Sequence, residues 1–401
     1  MNSILMKGTV GLFSIVSIIC GIVIGVYTEI GVNLKFLGDI YLNLMFCCAV
    51  PFIFISLLSS IVNAANVKEN SRIFVVTIVV FFITSVISAV FAAIVMHFTS
   101  SFWSVDGAQM GIDLIKYENV KVWDVISEVF TKPDFYLLFS KQSIFQLVIF
   151  SILLGMGIRR TCKNFSIRQL LMELQESMLE VTKIVSYCAP VGFVGLFADM
   201  SSSLGSTFAV QYINVFVVYC CIVVAYIFVF FPTYVFSFCG INCLKIFLSH
   251  YWASFMNAGA TCSSSANIPV NYEIAKKSNI DDDVSSVVIP FGAVCHMDGS
   301  SIGLVVKALF VMGIFGQSCD LSGYFLIIMV SVLGSIGMAP VPGSGVGELV
   351  MCSLLFNDSP EHFAMAYTVA VGIGIIIDMP ATIVNSSGDY MSTFIVQRLA
   401  K

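Results

Sequence analysis

Cys262-Ser263-Ser264-Ser265-Ala266-Asn267-Ile268-Pro269 falls in the middle of an apolar stretch running from Leu244 to Ala275, and Gly337-Met338-Ala339-Pro340-Val341-Pro342-Gly343-Ser344-Gly345 does the same between Tyr324 and Phe356. A helix needs about 20 apolar residues to cross roughly 30 Å of hydrocarbon, so neither half of either stretch spans comfortably. Backbone rich in hydroxyls, glycine and proline is tolerated at that depth only where protein or a water-filled cavity satisfies its amides and carbonyls. Two such interruptions predict two helical hairpins that dip into a membrane and return.

The rest of the chain supplies the spans. Of 401 residues, 58% are hydrophobic before the 29 glycines are counted, 11% are charged, and the mean hydropathy is +0.96. Ordinary soluble domains carry roughly 25% charged residues, so this composition cannot clothe a soluble surface. Apolar runs at 8–27, 39–65, 73–99, 142–158, 179–199 and 210–238 read as spans, joined by two that carry charge, at 284–314 and 362–397. The first run follows Lys7, lacks a small-residue cleavage signature and reads as retained. The 13 cysteines lie mostly in apolar runs without a C-x-x-C pair, which indicates neither a disulfide framework nor a zinc site. A formal charge of -5 offers no basic field for nucleic acid.

Lys and Arg in short loops favour the cytoplasmic side. Lys7, Lys68, Arg72, Arg159, Arg160, Lys163, Arg168, Lys245, Lys276, Lys277, Arg398 and Lys401 all fall on one side if both broken stretches return as hairpins. Lys35 and the lysines of the loop from Ser100 to Lys141 lie opposite, and that loop is acidic on balance. The expected fold is therefore an all-α polytopic membrane protein of eight transmembrane helices plus two re-entrant hairpins, one opening from each side. A hairpin-then-span unit at 244–314 and again at 322–397 has opposite orientation, an inverted repeat of the kind that brackets a midplane site in secondary transporters.

Four polar clusters would meet there: Ser263 to Pro269; Gly292 to Gly299 with His296-Met297-Asp298; Ser335 to Gly345; and Asp378 to Asp389, reading DMPATIVNSSGD. Hydroxyls and half-helix N-termini suit a substrate carboxylate, and carboxylates suit an ammonium group or a hard cation. A serine run is often just a polar loop, but inside an apolar stretch it points to a site. Asp298, Asp378 and Asp389 read as functional, since Lys307, the obvious basic residue of these spans, is expected to snorkel outward. His296 stays open between a hydrogen-bonded bundle histidine and a proton-sensing or cation-site residue. Glu348, in the second limb of the outer hairpin, is an intramembrane carboxylate to which the sequence assigns no role. Gly299-Ser300-Ser301-Ile302-Gly303 matches G-x-S-x-G, but within a helix it is no nucleophile elbow. An aspartyl intramembrane protease using Asp298 with Asp389 is an alternative from another class, weakened because Ser386-Ser387-Gly388-Asp389 lacks the first glycine of G-x-G-D. A channel is a third class, less suited to two gating hairpins around substrate-like ligands.

At these clusters the sequence resembles the dicarboxylate/amino acid:cation symporter family, which includes glutamate and neutral amino acid transporters. The likeness runs from Pro51 and Phe81-Phe82-Ile83-Thr84-Ser85, through Ser263-Ser264-Ser265, Met297-Asp298-Gly299 and Ser335-Ile336-Gly337, to Val341-Pro342-Gly343-Ser344-Gly345 and Asp378 to Asp389. The resemblance implies a homotrimer in contact with membrane lipid. Residues 1–243 would be mainly scaffold, with some transport-core spans, and residues 244–401 the transport core. It implies that Asp378 binds the substrate ammonium with Thr382 and Asn385 beside it. Ser264, Ser265 and the tip formed by Val341, Pro342, Gly343 and Gly345 would hold the α-carboxylate. For sodium it implies one site at Gly292, Asn385 and Asp389, a second at Ser335, Ile336 and Met338, and a third at Thr84, Ser85 and Asp298, with His296 alongside.

Departures from the family pattern narrow the reading. Acidic-substrate members carry an arginine where this chain has Ala381, and some carry it where this chain has Cys262. Without a guanidinium to pair a side-chain carboxylate, the expected substrate is a small neutral amino acid of the serine, threonine or alanine type. The Ala-Asn-Ile-Pro-Val-Asn stretch from Ala266 resembles the serine/threonine symporter branch. His296 replaces the usual asparagine, Phe81 a tyrosine and Val294 a threonine, so either fewer sodium sites remain or a proton replaces a sodium. The sequence thus predicts a sodium-coupled symporter, not an enzyme, in a bacterial inner membrane. A proton-coupled amino acid or dicarboxylate symporter of the same fold is the alternative.

Overall fold

The computed structural model describes residues 2–28, 30–63, 71–103, 133–140, 143–161, 165–317, 319–336, 346–356 and 359–400. Met338, Val341, Pro342, Gly343, Ser344 and Gly345 lie outside the described residues. Among the described residues every regular element is helical. The principal helices are α1 (Asn2–Tyr27), α2 (Lys35–Asn63), α3 (Ser71–Phe98), α4 (Ile144–Thr161), α5 (Phe165–Ser186), α6 (Ala189–Ala225), α7 (Phe231–Thr261), α8 (Ser264–Lys277), α9 (Asp282–Cys295), α10 (Asp298–Ile314), α11 (Leu321–Ile336), α12 (Val346–Leu355) and α13 (Pro360–Ala400).

α3 shows the solvent these helices are built for. Val75, Ile78, Val79, Phe82, Ile83, Val90 and Ile94 are exposed, while Thr77, Thr84, Ser85 and Ser88 are buried. An apolar outer stripe with hydroxyls turned inward reverses the soluble pattern and fits lipid. Four helical runs among the described residues are long and apolar enough to cross a membrane, Arg72–Phe98, Val210–Thr261, Asp282–Ile314 and His362–Ala400. Val16–Tyr27, Ala189–Asp199 and Leu321–Ser335 are shorter apolar helices.

The run expected at 179–199 is not one helix. α5 stops at Ser186, and α6 starts at Ala189 with Pro190 in its first turn. Proline lacks the N–H that a continuing helix needs but is pre-set for a helix start. α6 then runs without a break through 200–209, a segment between two of the expected spans, to a π-helical turn at Tyr226–Phe230. α1 packs on α6 through Gly21 and Gly25, where a Cβ would lie 2.8 Å from Val194 O or press on Ala198 O. Small residues let the two backbones touch.

α7 is broken by Gly240 (φ 81°), a backbone conformation suited to glycine. Cys262 ends the helix in the left-handed region (φ 46°), and Ser263 begins α8 by accepting the Ala266 N–H at 3.3 Å. The chain reverses there. Asn267 donates to Ser254 Oγ at 2.9 Å and accepts from Asn257 Nδ2 at 2.7 Å, whereas a straight helix would hold Ser254 and Asn267 about 20 Å apart. His296 and Met297 leave helical geometry between α9 and α10. Outside these spans, Asp320 starts α11 by accepting the Gly323 N–H at 2.8 Å, which together with the Ser322 hydroxyl holds its carboxyl below the usual range. α13 continues for 41 residues with Pro380 inside it.

Candidate functional site

The break at His296-Met297 places Asp298 in the first turn of α10, where unpaired N–H groups favour a carboxylate. Ser85 Oγ donates to Asp298 Oδ1 at 2.7 Å and Thr84 Oγ1 to the same oxygen at 3.3 Å. Tyr226 OH donates to Asp298 Oδ2 at 2.9 Å. His296 Nε2 lies 3.3 Å from that oxygen and 3.0 Å from Thr84 Oγ1, and its Nδ1 lies 3.2 Å from Asp389 Oδ1. One imidazole thus joins two buried carboxylates, and the Phe81 ring stacks on it with centroids 4.3 Å apart. Thr84, Ser85 and Asp298 are brought together, with His296 beside them.

Asn385 works on the same break. Its Oδ1 accepts the N–H groups of Gly299 at 2.8 Å and Ser300 at 3.4 Å, and its Nδ2 donates to Ser300 Oγ at 3.1 Å. Gly299 allows this approach, since a Cβ there would overlap Ala381 O. Gly292 is equally tight against Asp389 Oδ1, so Gly292, Asn385 and Asp389 also share one neighbourhood; the Gly292 carbonyl accepts the His296 N–H at 2.9 Å.

The first hairpin docks on α13. Asn267 Nδ2 reaches Ser386 Oγ at 2.9 Å, Asn271 Nδ2 reaches Ser386 O at 2.8 Å, and Gly259 faces Ile383. Ser264 is buried at the start of α8. Asp378 is half-buried, while Ala381, Thr382 and Asn385 are buried. The side chains of Ser265 and Ile336 are not described. Ser335 is buried and donates to Val332 O at 2.8 Å; its expected partner Met338 and the tip residues Val341, Pro342, Gly343 and Gly345 lie outside the described residues.

Lys307 does not snorkel outward. It is 3% exposed and pairs with Glu348 of α12, which supplies the counter-charge that makes burial tolerable. No sequence expectation covers Tyr226 or Tyr219, whose OH donates to Gly299 O at 3.1 Å, and Asn267 and Asn271 entered only as part of the branch-like stretch from Ala266. Tyr219 and Tyr226 are two helical turns apart on one face, and the asparagines are one turn apart, a spacing that was available as a signal.

Apolar outer faces around buried hydroxyls, carboxylates and broken helices define a multi-pass integral membrane transporter. Residues 11–399 match the sodium:dicarboxylate symporter family, and the chain belongs to it. Proteins named serine/threonine transporter SstT from two strains of Campylobacter jejuni subsp. jejuni are 24% identical over 395 residues, covering 98% of this chain and 96% of each relative. Family membership makes the chain a transporter rather than an enzyme.

Proposed function

We propose that the protein is a cation-coupled symporter of a small neutral amino acid, of the serine, threonine or alanine type, working by alternating access. The observation that carries this reading is the segment from Asp378 to Asp389: Ala381, Thr382, Asn385 and Asp389 are buried in the bundle beside a half-buried Asp378, with no cationic side chain in the segment. Asp378 would pair the substrate ammonium, with Thr382 and Asn385 beside it. Ser264, Ser265 and the tip at 341–345 would hold the carboxylate at helix N-termini. An acidic side chain would be buried near Ala381 with no partner from this segment, at a desolvation cost that a small neutral group avoids. The names of the SstT relatives support the same substrate class.

Sodium is the co-substrate in this reading. Gly292, Asn385 and Asp389 form one candidate site, Ser335, Ile336 and Met338 a second, and Thr84, Ser85 and Asp298 a third that is shared with His296. The closeness of the imidazole to both Thr84 and Asp298 favours fewer bound sodium ions than three full sites would take. The architecture that suits this function is eight spans with two re-entrant hairpins in a homotrimer, with scaffold mainly in residues 1–243 and the transport core in 244–401.

Uptake of radiolabelled serine, threonine, alanine, aspartate and succinate into proteoliposomes, under separate sodium and proton gradients, tests the proposal. Sodium-driven uptake of the neutral amino acids is expected. Preference for aspartate or succinate refutes the substrate class, and uptake driven by protons with no sodium dependence replaces the coupling ion.

A further inference from the structure

Lys307 and Glu348 form an ion pair whose side chains are 3% and 4% exposed, linking α10 to α12. Gly374 of α13 lies against it: a Cβ there would stand 2.7 Å from Glu348 Oε1 and 3.3 Å from Lys307 Nζ. A glycine at this position leaves room for both charged heads. Asp378 follows Gly374 by one helical turn on the same face, where neighbouring positions are about 5 to 6 Å apart. Glu348 Oε2 has no hydrogen-bond partner among the described residues. Burial of two unlike charges is not required for stability, because apolar residues of similar volume often serve as well. What the pair changes is the charge beside Asp378.

We propose that the Lys307–Glu348 pair determines substrate specificity by cancelling its own charge next to Asp378, so that the pair adds no net charge beside the substrate and the pocket accepts amino acids with uncharged side chains. This rests on the neutral amino acid reading above. Removing the Glu348 charge leaves Lys307 uncompensated, which offers a partner to a substrate side-chain carboxylate and draws Asp378 away from the substrate ammonium. Removing the Lys307 charge leaves two carboxylates, which favours a cationic side chain. Mutual screening weakens with distance, so the effect depends on the pair lying one turn from Asp378 rather than at the bilayer surface.

The test is competition uptake in proteoliposomes with serine, aspartate and 2,3-diaminopropionate. Glu348→Gln is expected to raise the aspartate-to-serine ratio at least tenfold, and Lys307→Gln to raise the diaminopropionate-to-serine ratio by a similar factor. The exchanged pair Lys307→Glu/Glu348→Lys is expected to return both ratios toward wild type. If all substrates fall together at unchanged ratios, the pair is structural only and the inference is overturned. Should the single variants not fold, Lys307→Met/Glu348→Leu keeps the charge sum and is expected to keep the serine preference; a shift toward either charged substrate overturns the inference. Failure of the underlying reading looks different, since wild type itself would then not take up serine.

Discussion

Asn385 Oδ1 accepts the Gly299 N–H at 2.8 Å, so a side chain midway along α13 caps the helix that restarts after the break at His296-Met297. Asn385→Ala leaves first-turn N–H groups unpaired in a buried place, a loss of about 1 to 3 kcal/mol. Asn385→Asp keeps the acceptor and adds a charge that a helix N-terminus favours. Thermal unfolding in detergent is expected to show a lower midpoint for the alanine variant than for the aspartate variant. Equal destabilisation of the two would mean that the cap is not what matters at this residue.

Coupling is tested at the two ends of the imidazole. Asp389→Asn removes a charge that offsets a bound cation in a low-dielectric site, so sodium activation of uptake is expected to fall strongly. His296→Asn replaces the ring beside Thr84 and Asp298 with an amide oxygen, and the sodium dependence is expected to steepen. An unchanged sodium curve in both variants would remove sodium from this part of the bundle.

Ala381→Arg tests specificity from a direction independent of Lys307. A guanidinium near Asp378 is expected to weaken serine or alanine uptake and to introduce aspartate or glutamate binding. Charged hydrogen bonds contribute about 1.5 to 3 kcal/mol, which corresponds to one or two decades in affinity. Competition uptake reads the shift, and a variant that folds yet keeps the wild-type serine-to-aspartate ratio would refute it.

Sidedness is tested by single cysteines at Ser264 and Ser344 in a background from which all 13 native cysteines have been removed. The basic residues of the loops predict that the first reacts from the cytoplasmic side and the second from outside. Labelling of both from one side would defeat the inverted arrangement of hairpins.

The reversal at Cys262-Ser263 was legible because hydroxyls and proline interrupt an apolar run there, and an interruption at membrane depth has few physical explanations. The candidate carboxylates were legible for the same reason, since a charge in an apolar span needs a partner or a task. The partnership of Lys307 with Glu348 was not, because the two lie 41 positions apart on separate helices and only packing brings them together. Tyr226 escaped because a tyrosine in an apolar helix reads as bulk until its hydroxyl is seen reaching Asp298. The helix start at Ala189 was signalled by Pro190, but hydropathy summed across 179–199 smoothed it away.

Arg72, at the start of α3, donates to Leu399 O at 3.2 Å near the end of α13, although the two are 327 positions apart. Midway along, Thr84 and Ser85 of α3 grip Asp298, which His296 ties to Asp389 of α13. A strut fastened at its end and again at its middle can neither slide nor pivot against its neighbour. α3 is therefore expected to ride with α13, despite belonging to the early part of the chain, while α1 and the start of α6, where Gly21 and Gly25 bring the two backbones together, form the rail. Spin-label distances between α3 and α13 should stay fixed through the cycle while those between α3 and α1 change; the reverse pattern would assign α3 to the rail.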